Sequence, residues 1–148
     1  MTTRPHTPPA QCPLCSDLRY IVERSASWTL ALNLQQNLPG RCVLVLNRHL
    51  ESVRELEVEE WRELHRQLAR ATTAIDALFD PDQYNYAFLM NQDAHVHLHI
   101  VPRYSTARKW HGQTFTDPHF GGLFGREEKQ LIPDAMEALE ASLRQALA

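Results

Sequence analysis

Hydrophobic and polar positions along the chain change period several times, and each change marks an element. Arg19–Arg24 and Trp28–Asn33 are rich in β-branched and aromatic residues and predict two strands. Leu38-Pro39-Gly40 is a turn signal. The apolar run Cys42-Val43-Leu44-Val45-Leu46 inside Arg41–Asn47 then suits a strand buried on both faces. From Val58 to Phe79 the apolar residues Trp61, Leu64, Leu68, Ala71, Ile75, Leu78 and Phe79 recur at three- and four-residue spacing, the apolar face of a helix. Asp80-Pro81-Asp82 ends it. Tyr84–Met90 and His95–Pro102 predict a hairpin, Ser105–Lys129 is irregular with Gly121-Gly122, and Pro133 opens a helix running to about Leu147.

Adjacent strands with short connections favour antiparallel pairing, so the fold class is α+β. With 148 residues, 43% of them hydrophobic and 22% charged, the chain has the composition of one globular domain. Residues 1–10, rich in Pro and Thr, read as a mobile tail and carry no secretory signal. No apolar run reaches the roughly 20 residues of a membrane helix, and a net charge of −3 gives no general attraction to nucleic acid or anionic lipid. An anionic ligand therefore needs a local site. Three cysteines without a leader argue against a disulfide framework and for a cytoplasmic setting.

The chemistry concentrates in His95-Val96-His97-Leu98-His99-Ile100-Val101-Pro102-Arg103. Side chains alternate faces along a strand, so His95, His97 and His99 share one face while Val96, Leu98 and Ile100 enter the core from the other. Imidazoles mounted this rigidly suit metal binding or nucleophilic catalysis, in which one ring attacks and its neighbours manage its tautomer and protons. Cys12-x-x-Cys15 has the spacing of a zinc half-site, which a histidine or carboxylate pair would complete. Cys42, within an apolar strand, reads as a small core residue. Arg103 and Trp110, beside and after the triad strand, are candidates to border a base or phosphates, with a core or dimer role the stronger reading for Trp110; His6, His65, His111 and His119 have no evident partners in the sequence and read as surface residues.

The segment His95–Val101 resembles the signature of the histidine-triad (HIT) family: three histidines separated by single apolar residues, followed by two more apolar residues. Leu32-Asn33, Leu38-Pro39-Gly40, Val43-Leu44-Val45 and His49 are similar to that family's substrate-side hairpin, and the resemblance spans roughly Cys12 to Tyr104. It implies a five-stranded antiparallel sheet with one long central helix and a C-terminal helix, commonly as a homodimer. The implied activity is hydrolysis or transfer at the α-phosphorus of a nucleoside phosphate, dinucleoside polyphosphate or phosphoramidate. His97 would attack and carry a nucleotidyl intermediate, His99 would support its tautomer, and Asn33 and Asn91 would lie near phosphate or ribose.

Two departures stand out. Many relatives place a histidine after the Pro-Gly turn, where this chain has Arg41, a candidate phosphate clamp. The turn Asn91-Gln92-Asp93-Ala94 lacks the glycine and hydroxyl residues that cradle phosphates in several branches. Similar proteins pair the two cysteines with a strand-end histidine and the first triad histidine, here His49 and His95. Zinc on Cys12, Cys15, His49 and His95 would be fully coordinated by protein, as a structural site is. Two other classes stay open: a nucleotide-binding module with little catalysis, and a catalytic metal held by all three triad histidines.

Overall fold

Alternation in three apolar strands gives the molecule its two-sided sheet. The computed structural model describes residues 8–148; His6 and most of the expected tail lie outside the described residues. The sheet contains β1 (Ile21–Arg24), β2 (Trp28–Leu32), β3 (Cys42–Leu46), β4 (Gln83–Ala87) and β5 (His97–Arg103). Its order is β1-β2-β3-β5-β4 and every pairing is antiparallel. The α+β class and the five-stranded sheet expected from the sequence are both present.

One face carries Trp28, Leu30, Leu32, Cys42, Leu44, Leu46, Leu98 and Ile100 into the main core, with Val96 just before β5. Two helices cover that core, α2 (Val58–Phe79) and α3 (Pro133–Leu147), after a single short turn of helix, α1 (Pro13–Ser16). Both long helices begin and end where the residue pattern predicts. A capping box between Glu57 and Glu60 starts α2, and Asp80, in the left-handed conformation, closes it. Residues Leu64, Ala71, Ala74, Ile75 and Phe79 of α2 are buried. Trp61 departs from the expected core face: it is 42% exposed and meets Phe88 edge-on. Its inner neighbours are instead Glu60 and Glu63, whose burial is tolerated because Arg48 pairs with Glu60 and the Ser27 N–H donates to Glu63. No described helix is long and apolar enough to cross a membrane.

The opposite face of the sheet holds Ala31, Val43 and Val45, packed by Leu14 and Leu18 from the α1 region. Between β2 and β3 the chain turns at Gly40, whose φ of 96° and proximity to Ile75 and Phe79 leave no room for a side chain. Fully buried Gln36 ties this turn together, donating to the carbonyls of Asn33 and Arg41 and accepting from the Gly40 N–H. The region read as irregular contains a small hairpin, β6 (Arg108–Trp110) with β7 (Gln113–Phe115). Trp110 packs on Phe79, so its place is at the core.

Candidate active site and metal centre

β5 is an interior strand of the sheet, flanked by β3 and β4, and its register places His97 opposite Val45 and His99 opposite Val43 and Ala87. Both histidines therefore project from the face that the helices leave uncovered, while Leu98 and Ile100 anchor the strand at 4% and 0% exposure. The rings of His97 and His99 meet at 4.8 Å between centroids. His97 Nδ1 lies 2.7 Å from the backbone carbonyl of His95. A carbonyl only accepts, so Nδ1 carries the proton and the neutral ring presents its lone pair at Nε2. That is the tautomer an attacking imidazole needs. Beside Val45 a polar cleft of about 150 Å³ opens between α1 and the sheet, bordered by Ser16, Arg24, Thr29 and Asn47.

His99 is held as a neutral base. Burial first, then the neighbouring His97 and Arg41, bring its pKa from 6.5 down to about 4, and its Nδ1 is buried without a hydrogen-bond partner among the described residues. The unfolded chain would protonate His99 near pH 6.5, whereas the folded protein resists until about pH 4. The stability His99 contributes is thus complete above pH 6.5 and lost as the pH falls towards 4. Urea denaturation of His99→Gln should show a smaller decline over that interval than the parent protein; parallel profiles would contradict the assignment.

Arg41 is buried rather than solvated, with 8% exposure. Its Nη1 donates to Asn37 Oδ1 at 2.8 Å, its guanidinium lies 5.6 Å from the centre of the Phe124 ring, and its Nε has no partner among the described residues. Desolvation lowers its pKa, opposed by Glu127. A buried cation so thinly compensated is costly unless an anion arrives. Asn33 forms a local turn, its Oδ1 accepting from the Gln35 N–H, at the mouth of the β2–β3 loop. Asn91 is exposed in the connection that leads into β5.

Arg103 is not a ligand-facing residue. All five of its N–H donors are used within the protein, two by Asp117 and one each by Asn85 and the carbonyls of Gly122 and His119. This guanidinium, 2% exposed, staples residues 117–122 to the sheet. The sequence marked Arg103 only by position; its partners lie in a segment with no regular pattern.

The metal-ligating candidates converge. One ligand atom each from Cys12, Cys15, His49 and His95 lies within 4.8 Å of the others. The Sγ–Nδ1 separations are 3.4 Å for Cys12–His95, 3.3 Å for Cys15–His95 and 3.3 Å for Cys15–His49. The edge of a tetrahedral zinc site with these ligands is roughly 3.5 Å. His95 Nε2 donates to the Leu46 carbonyl at 2.6 Å, which leaves Nδ1 as the ligand atom, and burial keeps the ring below its ordinary pKa. This donor set fits a metal ion. Among the described residues, the three triad histidines do not form a common metal site: His95 turns to the cysteines, away from His97 and His99. Cys42 is a core residue, as expected, with its thiol pushed up to about 12 by burial.

The HIT domain family matches residues 20–106. The chain belongs to the HIT family. Among curated relatives, this HIT protein is 25% identical over 114 residues to a bis(5'-adenosyl)-triphosphatase of Dictyostelium discoideum, covering 74% of this chain and 70% of that one. Solved structures share the fold. A histidine triad nucleotide-binding protein from Sulfolobus tokodaii superposes with a TM-score of 0.70 at 18% identity, covering 92% of this chain and 91% of that one. A zinc-bound histidine triad protein from Mycobacterium smegmatis gives 0.64 at 18% identity, with 95% of each chain covered.

Proposed function

We propose that this HIT protein hydrolyses or transfers a nucleotidyl group, with His97 as the nucleophile. The carrying observation is the bond from His97 Nδ1 to the His95 carbonyl, which directs the Nε2 lone pair outward beside His99. Nε2 attacks the α-phosphorus, a bond forms between nitrogen and phosphorus, and the bridging bond to the leaving group breaks. Water then displaces His97 and releases the nucleotide, regenerating the imidazole. His99 supports the tautomer of its neighbour. Asn33, Asn91 and Arg41 bind the substrate, with Arg41 meeting phosphate. The activity printed for the Dictyostelium relative makes dinucleoside polyphosphates the first substrates to try.

Zinc on Cys12, Cys15, His49 and His95 completes this reading. The ion would hold the N-terminal turn against the triad strand; with all four positions filled by protein, it would supply structure rather than a Lewis acid to the substrate. A homodimer and a cytoplasmic setting belong to the same reading. Exposed Trp61, Tyr86 and Leu89 near the open edge of β4 offer a surface for the dimer.

The test is an acid-quenched single turnover with α-labelled adenosine and guanosine diphosphates, dinucleoside polyphosphates and phosphoramidates. The expected result is label retained on His97 with at least one of them. Tight nucleotide binding with no adduct and no turnover would instead assign a binding module. Within the same panel, Arg41→Gln should lower kcat/KM by about 10- to 100-fold for substrates with phosphate beyond the attacked centre, the loss of one charge-assisted contact to a desolvated anion. An equal rate would remove Arg41 from the site.

A further inference from the structure

We infer that Glu51 is a positioning residue for the metal centre, fixing the tautomer and orientation of His49; the inference rests on the metal reading above. His49 and His95 approach the cysteines in the same manner. Each directs Nδ1 at a thiol, and each places Nε2 against an acceptor. For His95 the acceptor is the Leu46 backbone carbonyl at 2.6 Å. For His49 it is Glu51 Oε1 at 3.2 Å. The two rings stand nearly perpendicular, 82° apart with centroids 5.1 Å from each other, so their Nδ1 lone pairs converge from different directions on one point.

A neutral imidazole offers a metal one nitrogen and must keep its proton on the other. A carboxylate at Nε2 holds the proton there, prevents the ring from flipping, and makes Nδ1 a stronger donor. Chain connectivity supports this arrangement. The Leu50 carbonyl accepts the Val96 N–H at 2.7 Å, so His49-Leu50-Glu51 is bonded directly to the segment that carries His95. The His49 side chain is 8% exposed and that of Glu51 26%, which shields their contact from bulk water. Of the two acceptors, only Glu51 is a side chain. It is therefore a point at which substitution can weaken the centre while leaving all four ligands in place.

The experiment is zinc titration of metal-stripped full-length protein against a chromophoric chelator, with Cys12→Ser as the ligand-loss reference. Glu51→Ala should bind zinc about 10- to 100-fold more weakly than the parent, and Glu51→Gln, which keeps an acceptor oxygen without the charge, should fall between them. Melting of the metal-stripped proteins separates positioning from folding: parent and Glu51→Ala should melt together, and only the increment gained on adding zinc should shrink. Cobalt(II) substitution gives a spectroscopic reading of the same centre, with a weakened or broadened tetrahedral absorption in Glu51→Ala. Zinc affinity of Glu51→Ala within twofold of the parent, while Cys12→Ser loses the ion, would overturn the role of Glu51 alone. A parent protein that takes up no zinc would overturn the metal centre itself and this inference with it.

Discussion

His97→Ala is expected to reduce turnover by on the order of 10³-fold or more, with no labelled adduct surviving an acid quench. The size follows from the two-step scheme. Without the imidazole, water must displace the leaving group directly; the adjacent His99 has its Nδ1 buried, and Arg41 is a cation. The ring is 7% exposed, so its removal leaves a partly filled space and some loss of stability. Leu98 and Ile100 still seat the strand, and the fold should persist by circular dichroism. A folded variant with turnover within tenfold of the parent would reject His97 as the nucleophile.

Removal of the metal should have the second largest effect. Cys12→Ser is expected to lose zinc by elemental analysis and to melt about 10 °C lower, the result of losing a few kcal/mol of metal-linked folding energy in a domain of this size. Activity should decline with it although an ion held by four protein ligands would have no open position for substrate. The reason is His95, whose ring belongs to the metal cluster while its backbone carbonyl accepts the Nδ1 proton of His97. Without the ion the ring would keep only its bond to the Leu46 carbonyl, so the His95 backbone should be held less firmly and His97 should sample its other tautomer more often. Time-resolved chelation distinguishes this from a catalytic metal. Loosening of the N-terminal turn, followed by limited proteolysis, should precede or accompany the loss of turnover. Loss of turnover in a fully protected fold would point to an ion on the reaction path.

What could be read from the sequence was what periodicity and short spacing encode. The limits of α2 and α3 were visible because Asp80-Pro81 and Pro133 are strong local signals acting on long amphipathic patterns. The inward set Val96, Leu98 and Ile100 followed from strand alternation, and the metal set joined a local cysteine pair to two histidines by family resemblance. Trp61 matched the helical period yet lies at the edge, while Glu60 and Glu63 turn inward to partners, Arg48 and the Ser27 N–H, that no local pattern reveals. The burial of Arg41 and the bracing by Gln36 depend on a loop folding back on itself. The β6–β7 hairpin has strands of three residues each, too short for alternation to register.

The saturated guanidinium of Arg103 limits how this protein can acquire new specificities. Four of its five hydrogen bonds tie residues 117–122 to β5, and swapping residues there risks the scaffold before it alters recognition. In residues 33–41, by contrast, Leu34 is exposed and Asn33, Gln35 and Asn37 are partly exposed, on a turn whose backbone the buried Gln36 holds. On the proposed reading, a library aimed at altered selectivity belongs at those four positions.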